Sequence, residues 1–412
     1  MLIRLPIADL KFCLGIAFSA TSSNKNKPVL NNVLLTLRRG YSDTEDAKHT
    51  ARLAATDGDM TVFCDLRHTT VHGDGVDQIL LPPVLGSIIH ELPPVTDVEL
   101  LIDPHDGGRC VTVSSGMARF RLQTADPSEF PPSSISDQLT YDVSVDGALL
   151  QRAIQRVLPA IDPQATRYAL GSILLAYNGG DDRLQLVATD GRRLALNELP
   201  AEWLEATGEV DNESIEQHVD TRWKNVLLSA NGAKLLAKIA KDSPTVKLRA
   251  DASTLTAEGL GVSIQCRLTE GRFPAWRKVI PKCTQVIELP TTAFMKSIKA
   301  AAATVDKEND TARLAFSNNS EGGTVTISIE SEDGNATVDC PLPHPVEHFE
   351  TTLKAQYLTQ ALAAMPADDI AEMHVPEEDG GAILLRNLAA DFTAVIMPMT
   401  EGVPAEKKEV KK

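Results

Sequence analysis

The chain has 412 residues, 43% of them hydrophobic and 4% aromatic, enough for two to four domains with aliphatic cores. Its 56 acidic and 40 basic side chains leave a net charge of −16, which argues against capture of nucleic acid by bulk attraction. The six cysteines show no CxxC pair and read as reduced, mostly buried thiols, and no apolar run approaches the roughly 18 residues of a membrane span.

The first predicted helix covers Ile7–Ala20, with Leu10, Leu14 and Ala17 on one face. Asp9 and Lys11 interrupt its apolar run, which separates it from a signal-peptide core. A strand at 33–37 follows, then LAATDGDMTVF (53–63), two alternating runs around Asp57-Gly58. That pair is what a type I′ hairpin asks for, because both central residues need positive φ. A helix at 83–92, further strands and Phe130-Pro131 close the stretch. The order then returns: helix Gly147–Ala160, strand 172–177, Asp190-Gly191 inside LVATDGRRLAL (186–196), helix 232–241, strand 262–269 and Phe273-Pro274. It returns again as helix Thr292–Val305, strand 313–318, Asp333-Gly334, helix 354–364 and Met397-Pro398. One unit copied twice predicts three domains at 1–138, 139–285 and 286–400, each a doubled helix-plus-antiparallel-strand unit. Residues 401–412 form a polar tail of alternating charge that predicts disorder.

Basic residues fall at equivalent helices of this acidic chain: Lys11, then Arg152 and Arg156, then Lys234, Lys238 and Lys241, then Lys296 and Lys299. Arg152 and Arg156 are placed opposite Leu149, Leu150, Ala153, Ile154 and Val157. A DNA-facing surface and an ordinary solvated face explain this pattern about equally well. No catalytic pattern competes. HPVEH (344–348) has metalloprotease spacing, but Pro341, Pro343 and Pro345 exclude the helix it needs. No phosphate-binding glycine loop, nucleophile elbow or histidine–cysteine cluster is present, so neither an enzyme, a metal nor a cofactor is expected. A monomeric repeat scaffold that binds peptides remains the alternative to a DNA-associated protein.

RYALGSILL (167–175), LVATDGRRLAL (186–196), TEGRFPAWRKVIPK (269–282) and AVIMPM (394–399), in this order, resemble the bacterial sliding clamp, the β subunit of DNA polymerase III. KPVLNNVLL (27–35) and the first Asp-Gly stretch add weaker matches. The resemblance implies an α+β DNA-clamp fold of three tandem repeats, closing as a head-to-tail homodimeric ring around duplex DNA. It implies a cytoplasmic, non-catalytic processivity factor. Its implied partners are the polymerase III catalytic subunit, the clamp loader, ligase, mismatch-repair proteins and translesion polymerases. A groove for their peptides maps to Leu170, Thr189, Gly191, Arg192, Arg193, Leu194, Pro274, Lys278, Val279, Tyr357, Val395, Ile396, Met397, Pro398 and Met399. DNA-facing cations would be Lys11, Lys25, Lys27, Arg152, Arg156, Lys234, Lys238, Lys241, Lys296 and Lys299, and the dimer interface would use Phe120, Leu122, Ala303 and Thr304. Two departures carry expectations. The tail after Met399 starts at the groove mouth and could screen it, and small Ala303 and Thr304 predict a ring that dissociates more readily.

Overall fold

The computed structural model describes residues 1–22, 27–38, 50–72, 77–93, 97–102, 109–131, 141–165, 168–178, 181–204, 223, 225–303, 311–320, 322–331, 334–378 and 380–399. Lys25, Thr304, Asp333 and the tail beyond Met399 lie outside the described residues.

One order of elements recurs three times: strand, helix, three-strand meander, short strand, helix, three-strand meander. The first copy runs β1 (Leu2–Pro6), α1 (Ile7–Ala17), β2 (Val33–Arg38), β3 (Thr50–Thr56), β4 (Met60–Leu66), an extra β5 (Thr70–His72), β6 (Gln78–Leu81), α2 (Val84–Glu91), β7 (Asp97–Ile102), β8 (Cys110–Ser115) and β9 (Ala118–Gln123). The second runs β10 (Val143–Asp146), α3 (Gly147–Val157), β11 (Ser172–Asn178), β12 (Arg183–Thr189), β13 (Arg193–Trp203), β14 (Val226–Ser229), α4 (Ala230–Ala240), β15 (Thr245–Ala250), β16 (Thr254–Gly259) and β17 (Val262–Arg267). The third runs β18 (Cys283–Pro290), α5 (Thr291–Ala302), β19 (Thr311–Asn319), β20 (Gly322–Ser331), β21 (Gly334–Pro341), β22 (Phe349–Lys354), α6 (Ala355–Ala363), β23 (Ile370–Pro376), β24 (Ile383–Asn387) and β25 (Phe392–Ile396). In each copy the first strand pairs antiparallel with the strand after the second helix: β1 with β7, β10 with β15, β18 with β23.

The helices form where apolar residues recur at helical spacing. In α1, Ile7, Leu10, Cys13, Leu14 and Ala17 are buried, and burying each large aliphatic side chain stabilises by about 1.5–3 kcal/mol. The Ser229 hydroxyl caps α4 by accepting from Gly232 N at 3.2 Å, and the Asp146 carboxylate accepts from Leu149 N at 2.8 Å in the first turn of α3. The first helix of the first two copies is shorter than predicted because its last turn tightens into a 3₁₀ turn, at Phe18–Ala20 and Leu158–Ala160.

The contacts divide the chain into two compact units, one of residues 1–151, 179–182 and 200–269, the other of 152–178, 183–199 and 270–412. The first holds the sheet β5-β1-β7-β8-β9 and a second sheet running from β10 through β15, β16, β17, β4, β3 and β2 to β6. The other holds β18-β23-β24-β25, with β25 pairing the first half of β13, and the sheet β21-β20-β19-β22. In the first unit α3 starts against the end of α4 with no room for a side chain. A Cβ at Gly147 would lie 2.0 Å from the Ser243 carbonyl oxygen and 2.5 Å from that of Ala240. Gly147→Ala should therefore cost about 3 kcal/mol of stability in denaturant unfolding. A cost under about 1 kcal/mol would show that these helix ends separate freely.

The first two Asp-Gly turns form, but not as type I′ hairpins. Gly58 and Gly191 have φ of +103° and +86°, whereas neither preceding aspartate has positive φ. The aspartate instead acts through its carboxylate: Asp57 Oδ1 accepts from Asp59 N and Met60 N at 2.9 and 2.7 Å, and Asp190 Oδ1 from Arg192 N and Arg193 N, both at 2.9 Å. The preceding threonine completes both turns. Thr56 Oγ1 accepts from Gly58 N and donates to Met60 O, and Thr189 Oγ1 does the same with Gly191 N and Arg193 O. The repeated signal is thus Thr-Asp-Gly. At the third turn Glu332 stands in the threonine's place, and Ser331 pairs directly with Gly334.

Candidate functional site

A groove of about 520 Å3 lies within the second unit, and four short segments build it. The Thr189–Arg193 turn supplies one wall. There the side-chain network just described holds the backbone at Gly191 open to the cavity, and Gly191 keeps its positive φ because no side chain is present. The floor comes from the ladder that follows, in which Leu194 faces Val395, both buried. Met397 N donates to Arg192 O at 2.9 Å, which carries the ladder one residue past β25 and sets the exposed Met397 side chain on the rim. The opposite wall is the 3₁₀ turn Trp276–Val279 preceded by Pro274. At three residues per turn Trp276 and Val279 share a side, so both line the groove. Ala169 and Leu170 close the remaining side.

Arg193 anchors the wall turn. Its Nε donates to Asp190 Oδ2 at 3.0 Å, and its other nitrogens donate to Gln360 Oε1 and the Pro159 carbonyl. The guanidinium carbon lies 4.2 Å from the centroid of the Tyr357 ring, with Lys354 Nζ 5.4 Å away. Burial, followed by the Asp190 charge, raises the Tyr357 phenol above its ordinary pKa, so the ring stays neutral under the cation. On the other wall the Arg277 guanidinium stacks on Trp276 at 4.3 Å and donates to Gln185 Oε1 at 2.7 Å. Arg192 and Arg272 also line the groove, with no ion-pair partner among the described residues. The result is an apolar trough with a cationic rim, suited to an extended peptide carrying large aliphatic or aromatic anchors.

Residues 144–275 match the family described as DNA polymerase III beta subunit, central domain. A β sliding clamp of Caulobacter vibrioides is 25% identical over 397 residues, covering 95% of this chain and 98% of its own length. That of Escherichia coli K12 is 22% identical over 376 residues, covering 90% and 92%. A crystal structure of a Caulobacter crescentus clamp with polyethylene glycol bound has a TM-score of 0.78 at 24% identity, over 97% of this chain and 99% of that one. A Pseudomonas aeruginosa clamp bound to griselimycin has a TM-score of 0.78 at 21% identity, over 97% and 100%. Over nearly its whole length the chain is similar to bacterial β sliding clamps, and the family model covers its central part.

Of the clamp-family groove residues expected from sequence, Leu170, Thr189, Gly191, Arg192, Arg193, Leu194, Pro274, Val279, Val395 and Met397 come together on one cavity. Ile396 and Tyr357 line a smaller space behind it, on the other side of Arg193. Lys278, Pro398 and Met399 do not line the groove. The 3₁₀ turn aims Lys278 away from the Trp276–Val279 side, and Met399 N is drawn to the Thr352 carbonyl at 2.8 Å. Trp276, Ala169 and Arg272 were not anticipated. The i, i+3 spacing of Trp276 and Val279 was the signal available for the tryptophan. Met397→Ala should weaken a bound hydrophobic peptide about 10- to 100-fold, the worth of one buried methionine, without changing the unfolding midpoint. Unchanged affinity in a peptide titration would remove Met397 from the site.

The basic residues divide into two groups. Lys27, Arg152, Lys234, Lys241, Lys296 and Lys299 are exposed, with no side-chain partner among the described residues. Three others are spent on carbonyl oxygens. Lys11 Nζ donates to Leu92 O at 2.8 Å, beyond the end of α2, and Lys238 Nζ to Gly15 O and Ser19 Oγ at 2.5 and 2.6 Å, at the end of α1. These are places where helix carbonyls lack amide partners and the helix dipole favours a cation. Arg156 corrects the expectation that it points to solvent: it is half-buried, and its Nη1 donates to Ala390 O at 2.8 Å and Asn197 Oδ1 at 3.2 Å. Phe120 and Leu122 sit half-buried on the edge strand β9, and Ala303 is exposed at the end of α5. Among the described residues no cluster suits a metal ion, and no helix is long and apolar enough to cross a membrane.

Proposed function

We propose that the protein is a homodimeric sliding clamp in the cytoplasm. It encircles duplex DNA without reading sequence and tethers the replicative polymerase, the clamp loader and repair proteins through peptides held in the groove. The domain limits 1–138, 139–285 and 286–400 belong to this reading. Containment explains how a chain of net charge −16 can serve DNA: a duplex held topologically needs only weak contacts from cations such as Lys27, Lys234, Lys241, Lys296 and Lys299.

The observation that carries the proposal is a pairing rule between repeats. The last strand of the second repeat, β17, pairs with the third meander strand of the first, β4. The last strand of the third repeat, β25, pairs with the third meander strand of the second, β13. One strand of each kind is then left over, β9 and β21, and among the described residues each is an outer strand of its sheet. The rule is completed when β9 of one protomer pairs with β21 of another, twice per ring, head to tail.

The same rule supplies the register. The residue two past the turn glycine, Met60 or Arg193, faces the residue four past the start of the partner hairpin strand, Cys266 or Ile396. Ala336 stands two past Gly334, and Leu122 four past Ala118, the first paired residue of β9. Ala336 therefore faces Leu122, Val338 faces Phe120, and Asp339 faces Arg119. The reading is tested by loading the protein on closed circular and on linear duplex. Retention on circles with loss from linear ends is expected, and equal loss from both would overturn it. A charge reversal tests the register: Arg119→Asp should weaken the dimer, and Asp339→Arg in the same chain should restore it.

A further inference from the structure

α3 and the end of α6 border a second cavity, of about 470 Å3, on residues distinct from those of the peptide groove. Two guanidiniums, Arg152 and Arg156, and two carboxamides, Gln155 and Gln360, line it, and no carboxylate does. Met365, which is buried, and Pro366 supply apolar wall. In a chain with 56 acidic residues, a cavity with two arginines and no acid is not what composition produces.

The charges there are uncompensated. Arg156 is held by the Ala390 carbonyl and the Asn197 amide oxygen, which orient it without neutralising it. Burial, and then the neighbouring Arg152 charge, lower its pKa. Asp391, the carboxylate that acts in the other direction, is already paired with Arg183 at 2.6 Å. Arg152 has no hydrogen-bond or ion-pair partner among the described residues. Two like charges at a half-desolvated site repel, and an anion between them removes the repulsion. Guanidinium forks match the spacing of phosphate oxygens, neutral carboxamides donate beside them, and the thioether and pyrrolidine offer contact to a flat apolar body.

We propose that this cavity is a binding site for an organic phosphate of the nucleotide type, with the phosphate on Arg152 and Arg156 and the base or sugar against Met365 and Pro366. Two sources share that chemistry, a free nucleotide and a nucleotide within an encircled DNA strand. Neither requires the peptide groove.

The test is titration of the full chain with AMP at low ionic strength, followed by calorimetry and by the methyl resonance of Met365. Adenosine and inorganic phosphate serve as separate probes. Saturable AMP binding that shifts Met365 is expected, at least fivefold tighter than either fragment. Arg152→Gln should weaken it at least tenfold, and Gln155→Glu, which adds a carboxylate to the cavity, should abolish it. Both positions are exposed on α3, so the unfolding midpoints should not move. A short duplex that displaces AMP identifies the DNA backbone as the source, and simultaneous binding identifies a free nucleotide. Absence of saturable AMP binding, or affinity unchanged in both variants, overturns the proposal. The outcome is separate from the clamp reading, because retention on circular DNA can succeed or fail independently of AMP affinity.

Discussion

Phe120→Glu is expected to leave a folded monomer that no longer stays on closed circular DNA. Phe120 lies on β9, the outer strand of its sheet, where alternate residues are half-buried and exposed. Phe120 is half-buried at the sheet's edge beside its cross-strand partner Val113, which is fully buried, so the substitution also costs the sheet some stability, read from the unfolding midpoint. In the proposed register against β21 of a second protomer, Phe120 would lie opposite Val338. Loss of a buried phenylalanine removes about 1.5–3 kcal/mol per interface, and a carboxylate buried in its place adds at least a similar penalty. About 4 kcal/mol at each of two interfaces totals about 8 kcal/mol, about a millionfold in the dimer dissociation constant. Light scattering across a dilution series reads the mass directly. A variant that remains dimeric at the wild-type midpoint would exclude β9 from the interface, whatever the circular-DNA assay reports.

The second large effect is expected at Arg193. Its side chain is 11% exposed and that of its partner Asp190 is 14% exposed. Arg193→Ala leaves Asp190 with its two backbone donors but no cation, and frees Tyr357, Gln360 and the Pro159 carbonyl together. A fully buried broken pair costs about 3–5 kcal/mol, and the remaining backbone hydrogen bonds and partial exposure reduce this to about 2 kcal/mol. Peptide affinity should fall further than stability, at least thirtyfold, because the groove wall and the Tyr357 ring behind it lose their common anchor. Arg193→Lys keeps the charge beside Asp190 but cannot reach three acceptors from a planar fork, so it should give intermediate values. Chemical unfolding and fluorescence anisotropy with a labelled peptide separate the two effects. Full peptide affinity in Arg193→Ala would show that the wall turn holds itself.

What was legible in the chain follows from periodicity. Helical spacing in 7–17 and 147–157, alternation in 262–267 and the recurrence of Asp-Gly are local facts, and the elements appear at those positions. The turn type was misread because Asp-Gly admits two solutions. Positive φ at both residues is one, and a carboxylate that caps two amides while only glycine turns left-handed is the other. The threonine before the first two pairs was the deciding residue, and its hydroxyl bonds are readable only once the backbone has closed around it. The groove was legible in part for a similar reason. Leu194 and Val395 are strand residues whose facing is set by alternation, whereas Trp276 enters through a 3₁₀ turn whose phase a strand or α-helix period does not give.

Cation assignment shows the division most plainly. By itself the sequence determined that basic residues occupy equivalent helices of an acidic chain, because helical spacing sets which side chains share a stripe. Only tertiary structure decided which of those charges remain available. Lys11 and Lys238 reach carbonyls at or just beyond the ends of other helices, and Arg156 reaches the Ala390 carbonyl, all contacts between residues far apart in the chain. A hydrogen bond to a distant backbone oxygen leaves no trace in local composition, so a lysine that packs and a lysine that waits for phosphate read alike until the fold brings their neighbours to them.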